Sequence, residues 1–136
     1  MTPDAMAALH AACFTTPRPW AAAEFQGILR DPLCVVMVES GGFLIGRVVA
    51  DEAELLTLAV DPTLRRAGVA TRLVNGFLAT AKQRHATQMF LEVAANNLPA
   101  ISLYTQAGFT ENGRRKGYYQ HPNAPALDAL VLVRAL

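Results

Sequence analysis

Apolar positions keep helical spacing at the start of the chain. Met6, Leu9, His10 and Cys13 fall on one stripe, so residues 3–13 are predicted to form a helix with one buried face. Thr2-Pro3-Asp4 is its start signal: a capping hydroxyl, a proline at the first helical position and an acid near the positive end of the dipole. His10 lies on the inward stripe and reads as structural. Pro17 and Pro19 then force a loop. Phe25, Ile28 and Leu29 mark a second helix over 21–29. Trp20, at the junction, is either a core anchor or one wall of a substrate cleft.

Short apolar runs follow, at 34–39, 43–50 and 53–60, separated by the turn signals Ser40-Gly41-Gly42 and Asp51-Glu52. They predict an antiparallel meander. Helical spacing returns over 69–84, where Val69, Leu73, Phe77 and Ala81 recur every fourth residue and Val74 and Leu78 widen the stripe. Residues 88–93 are a short apolar strand. A strand, a helix and a strand in succession predict a parallel pair with a right-handed crossover. A helix over 97–106, with Ala100, Ile101 and Tyr104 inward, ends at Gly108. Strands over 109–119 and 127–135 close the chain, joined by a loop containing His121-Pro122-Asn123-Ala124-Pro125.

Composition narrows the class. The chain has 136 residues, 52% of them hydrophobic and 17% charged, which predicts one globular domain over residues 1–136. A net charge of +1 argues against a broad basic surface for nucleic acid. The clusters Arg65-Arg66 and Arg114-Arg115-Lys116 suit a small anionic ligand better than a duplex. Cys13 and Cys34 lack metal-ligand spacing and read as buried thiols in a reducing compartment; no metal site is expected. With no signal-peptide pattern and no apolar run of about 18 residues, the expected location is the cytoplasm, away from membranes.

The chemistry gathers after the third strand. Arg65-Arg66-Ala67-Gly68-Val69-Ala70 precedes a helix whose first N–H groups lack helical partners and whose dipole favours an anion. A glycine at 68 lets a ligand approach the backbone. These features describe a pyrophosphate cradle.

Val60-Asp61-Pro62, Arg65-x-x-Gly68-x-Ala70, Leu91-Glu92-Val93, Asn97-x-x-Ala100-x-x-Leu103-Tyr104 and Gly108-Phe109 occur in order and at compatible spacing. Together they resemble the GNAT family of acetyl-CoA-dependent N-acetyltransferases. Residues 54–119 are most similar to its RimI type, the ribosomal-protein alanine N-acetyltransferases. The resemblance implies an α/β (α+β) GNAT fold: a mixed, mostly antiparallel sheet with a splayed central parallel pair and flanking helices. The family's first strand has no counterpart before Pro3, which leaves residues 34–39 as a sheet edge. An unpaired edge invites pairing, so a monomer or a weak homodimer is expected.

The resemblance also implies roles. Arg65, Arg66, Ala67, Gly68, Val69, Ala70 and Thr71 would hold the pyrophosphate of coenzyme A. Main-chain groups of Leu58, Ala59 and Val60 would pair with its pantetheine arm, as an added strand would, and an N–H near Val60 would stabilise the oxyanion. Glu92, between two apolar neighbours, would be the general base, directly or through water. Tyr104 would protonate the departing thiolate and contact the cofactor. Asn97 would contact the cofactor, cap its helix, or both. Tyr118 and Tyr119 would help form the peptide cleft, or pack as a pair in a late strand, and Lys116-Gly117 before them departs from the family pattern; Trp20 keeps both readings given above. The acceptor expected is a protein N-terminal α-amine, such as that of a ribosomal protein. The alternatives are a small amine (amino acid, polyamine or aminoglycoside) and a non-catalytic acyl-CoA-binding module.

Overall fold

The computed structural model describes residues 1–136, the side chain of His121 excepted. Helices α1 (Pro3–Cys13) and α2 (Ala22–Arg30) come first, then strands β1 (Cys34–Glu39), β2 (Gly42–Val49) and β3 (Glu52–Val60). A 3₁₀ turn at Pro62–Leu64 leads into α3 (Val69–Gln83), β4 (Gln88–Ala94), α4 (Leu98–Gln106), β5 (Thr110–His121) and β6 (Ala124–Ala135). The Thr2 hydroxyl accepts the Ala5 N–H at 3.1 Å, so the predicted cap starts α1. No described residue before α1 forms a strand, and β1 is an edge of the sheet.

The sheet order is β1-β2-β3-β4-β6-β5. β3 and β4 run parallel and every other pair is antiparallel. The parallel pair is short: Glu52, Ala53 and Glu54 face Gln88, Met89 and Phe90, and beyond that point the strands part. A bulge in β3 accompanies the parting. Gly46 pairs with Leu55 but Ile45 pairs with Thr57, which leaves Leu56 as the extra residue. Such a bulge bends its strand and re-aims the side chains beyond it.

Two buried clusters reflect that switch. Ala53 and Leu55, before the bulge, pack with Leu73, Phe77, Leu91 and Phe109 under α3 and α4. Ala59, beyond it, packs with Met6, Phe25, Phe43 and Ile45 under α1 and α2. The Phe77 ring fills the space where a side chain at Gly46 would begin, so glycine opposite the bulge admits the helix.

The last hairpin is tighter than expected. Pairing continues from Tyr119–Leu127 to His121–Ala124, so β6 starts at Ala124 and only Pro122-Asn123 remains as the turn. Proline presets φ and asparagine tolerates tight turns, so these residues close a hairpin instead of a loop.

Candidate active site

The parting of β3 from β4 opens a cavity of about 340 Å³ through the middle of the sheet. One rim is β3 from Glu54 to Leu58 and the other is β4 from Leu91 to Ala94. Asn97, Ala100, Leu103 and Tyr104 reach it from α4; His10, Phe14 and Trp20 from α1 and the following loop; Tyr118 and Tyr119 from β5. The structure thus gathers Trp20, Leu58, Glu92, Asn97, Tyr104, Tyr118 and Tyr119 around one space.

Strand alternation sets the direction of Glu92. Leu91 and Val93 are buried in the core, and Glu92 faces the cavity from the opposite side of β4. Its surroundings are not the apolar ones its neighbours in sequence suggest. Arg115 Nε lies 3.0 Å from Glu92 Oε1. A second carboxylate, Glu54, lines the same cavity from β3. Burial raises the pKa of Glu54, and the charge of Glu92 raises it further, against the pull of Arg47 and Arg115.

Tyr104 is buried, and burial alone pushes its hydroxyl pKa above the usual tyrosine range. A phenol in that condition stays protonated, so it can serve in this cavity only as a proton donor. Its ring meets Phe109 edge-on at 5.8 Å, which fixes its direction. Asn97 Oδ1 accepts the Ala100 N–H at 3.3 Å, so it caps α4 while lining the cavity.

The opposite wall is aromatic and locked by His10. Nδ1 of His10 accepts the main-chain N–H of Trp20 at 3.0 Å, so Nε2 carries the proton and donates to Thr57 Oγ1 at 2.9 Å. Burial lowers the His10 pKa to about 4, with a small opposing effect from Glu24. The imidazole stacks on Trp20 at 5.2 Å, and Trp20 packs on Phe25 at 5.6 Å. Trp20 is therefore both a core anchor and a wall of the cavity. Across the opening, the Tyr118 and Tyr119 rings lie 5.2 Å apart. Burial and the charge of Glu92 push the Tyr119 hydroxyl up to about 12.

Beyond the cavity, β3 runs into the glycine loop. Asp61 Oδ1 accepts the Thr63 N–H at 2.9 Å and starts the 3₁₀ turn. Arg66 and Gly68 take φ of 69° and 81°, and Gly68 caps α3 with no side-chain hydrogen bond. The first N–H groups of α3, those of Val69, Ala70 and Thr71, therefore have no helical partner. Arg65, Arg66, Ala67 and Gly68 are exposed. Arg72 braces the loop: Nη1 donates to the Ala67 carbonyl at 3.1 Å and Nε to Glu39 at 2.7 Å.

These features fit coenzyme A. Unpaired N–H groups and two arginines suit a pyrophosphate, and the edge of β3 that β4 leaves unpaired suits an extended arm. The three β3 residues are not equivalent, however. Leu58 lines the cavity, whereas the Ala59 side chain is buried under α1 and α2. The Val60 carbonyl accepts the Cys13 thiol at 3.2 Å. Ala59 can therefore offer only main-chain groups. Cys13 and Cys34 are both half-buried free thiols, less enclosed than expected.

Glu54, Arg72, Arg115 and the His10 lock were not legible as site features. Each depends on a partner distant in sequence or on the β3–β4 junction. Only Glu54 had a local signal, since alternation from Ala53 and Leu55 turns it out of the core.

A model of the Acetyltransferase (GNAT) family matches residues 4–109. The chain belongs to this family, and it is an acetyl-CoA-dependent N-acetyltransferase. It is 33% identical over 122 residues to the [ribosomal protein bS18]-alanine N-acetyltransferase of Escherichia coli strain K12, covering 87% of this chain and 82% of the relative. It is also 33% identical over 129 residues to the N-alpha-acetyltransferase RimI of Mycobacterium tuberculosis, covering 88% of this chain and 80% of the relative. The crystal structure of the ribosomal-protein-S18-alanine N-acetyltransferase from Escherichia coli superposes with a TM-score of 0.85 at 28% identity, over 98% of this chain and 86% of that one.

Proposed function

We propose that this chain acetylates the N-terminal α-amine of a protein, with alanine or a similarly small residue first. The observation that carries the reading is one cavity faced by a carboxylate, Glu92, and a buried protonated phenol, Tyr104, where the strands part. The names of the relatives supply the acceptor class, since they act on ribosomal protein bS18 or on α-amines.

The chemistry follows from that arrangement. An α-amine arrives as an ammonium, and Glu92 takes one proton, directly or through a water. Because an α-amine has a pKa of about 8 against about 10.4 for lysine, one carboxylate suffices. The neutral nitrogen attacks the thioester carbonyl, whose oxygen is held by main-chain N–H near Val60. The new N–C bond forms, the C–S bond breaks, and the sulfur takes a proton from Tyr104, while the proton the nitrogen sheds on becoming an amide returns through water to the tyrosinate. Asn97 and the Leu58–Val60 main chain steady the acyl arm. Arg65, Arg66 and the α3 N-terminus from Gly68 to Thr71 hold the pyrophosphate. Trp20, Tyr118 and Tyr119 enclose the first acceptor residue.

Thiol release from acetyl-CoA tests this, with N-terminal peptides, lysine peptides and small amines as acceptors. Turnover with an alanine-first peptide, lost in both Glu92→Gln and Tyr104→Phe, is the expected result. Turnover confined to small amines would retain the family chemistry and overturn the protein acceptor. Acetyl-CoA binding without any turnover would point to a binding module instead.

A further inference from the structure

β5 carries two more residues than its partner at one place. Arg115 pairs with Ala129 and Tyr119 pairs with Leu127, so Lys116, Gly117 and Tyr118 all stand against Asp128. Gly117 has φ of 61°, a left-handed conformation that glycine adopts without steric cost. In an unbroken strand, successive side chains point to opposite faces, and Tyr118 and Tyr119 would be separated. Here both line the cavity, with their rings 72° apart in plane.

Asp128 ties this bulge down. Its Oδ1 accepts the Gly117 N–H at 2.9 Å, and its Oδ2 accepts Arg114 Nη1 at 2.9 Å. The Gly117 N–H, and next the Arg114 guanidinium, hold the Asp128 carboxyl below its usual range, so it accepts both bonds as a charged group. Arg115 begins the same bulge. It reaches Glu92 at 3.0 Å, and its guanidinium lies 5.4 Å from the centre of the Tyr118 ring. The bulge thus sets two aromatic rings and the cation beside Glu92 in one arrangement.

We infer that Asp128 is a positioning residue for the acceptor: it holds the bulge at Gly117 that turns Tyr118 and Tyr119 together onto the cavity. The inference rests on the reading of this cavity as the acceptor site. Asp128 is not among the cavity-lining residues and acts through the tyrosines. The glycine loop draws on other elements, so acetyl-CoA binding is independent of it.

The test uses whichever acceptor the wild-type enzyme turns over. Asp128→Ala raises the acceptor KM about tenfold, as expected for losing a hydrogen bond to a charged group, and leaves the acetyl-CoA KM within about twofold. Asp128→Asn keeps an amide oxygen for Gly117 and recovers most of the loss. Deleting Lys116 and Gly117 restores an even ladder, separates the tyrosines and raises the acceptor KM as Asp128→Ala does. Amide exchange at Gly117 accelerates in Asp128→Ala and reads the bond without any acceptor. An unchanged Gly117 exchange rate overturns the inference. So does an unchanged acceptor KM, or a parallel rise in both KM values with a lowered Tm. Wild-type turnover of small amines alone would sink the protein-acceptor reading, while the KM for that amine would still decide the role of Asp128.

Discussion

The two sides of the cleft are built by different means. On the proposed coenzyme A side the binding groups are chiefly main-chain ones, the unpaired edge of β3 and the first N–H groups of α3 after the Gly68 cap, joined by the side chains of Arg65, Arg66 and Asn97. On the proposed acceptor side they are side chains drawn from remote elements that line one cavity: Trp20 after α1, Glu92 on β4, Tyr118 and Tyr119 on β5. A main-chain site is encoded by a few contiguous residues whose backbone must take one shape. A side-chain site is encoded by packing, so its residues can change without altering the fold. That difference explains how a shared fold accepts many acceptors.

Substitutions should separate the two sides. The largest effect is expected at the chemical step, which both sides share. Glu92→Gln lowers kcat by about a hundredfold or more, within the range for losing a general base, with the acetyl-CoA KM unchanged; steady-state thiol release reads both constants. Tyr104→Phe lowers kcat by about tenfold to a hundredfold, and acetyl-CoA binding by calorimetry is retained.

The next two effects should mirror each other. Gly68→Val places a branched side chain at φ of 81°, where even a Cβ would lie 3.0 Å from Arg72 Nη1. The acetyl-CoA KM should rise about tenfold, from a strain of one to two kcal/mol at a loop that must keep its shape, with the acceptor KM unmoved. Trp20→Ala should raise the acceptor KM about tenfold and leave the acetyl-CoA KM alone, since a half-buried aromatic wall is removed. If either variant moves both constants equally, the two sides are not independent.

The last effect is on stability and leaves both KM values untouched at neutral pH. His10 is neutral in the fold, with its pKa lowered from 6.5 to about 4. The unfolded chain binds a proton at a higher pH than the folded one. Stability from this group is therefore complete above about pH 6.5 and declines as the pH falls towards 4, by on the order of 2 kcal/mol. Urea denaturation at pH 7 and pH 4.5 measures this, and His10→Gln should flatten the dependence. The lock from His10 to Trp20 makes this a property of the acceptor side.

Much of the fold could be read from spacing alone. The α3 stripe of Val69, Leu73, Phe77 and Ala81 was plain, and all four are buried. The Thr2 cap, the meander of β1 to β3 and the parallel crossover were legible from local chemistry. What was not legible depends on pairing between strands. The β3 bulge at Leu56 lies opposite Gly46, over which the Phe77 ring sits, and the bulge at Gly117 is held by Asp128. The β5–β6 turn is only Pro122-Asn123 because pairing runs on to His121 and Ala124, which local composition did not reveal. The same holds within the site. The order Glu92, Asn97, Tyr104 could be read along the chain, but the Arg115 partner of Glu92 could not.

The most direct test of the account is where the acetyl group goes. Mass spectrometry of a peptide that begins with alanine and carries internal lysines, after incubation with acetyl-CoA and the enzyme, locates it. The account predicts one acetyl group, on the α-amine, absent with Glu92→Gln. Acetylation of lysine side chains alone, or an untouched peptide beside a small amine that is acetylated, would contradict it.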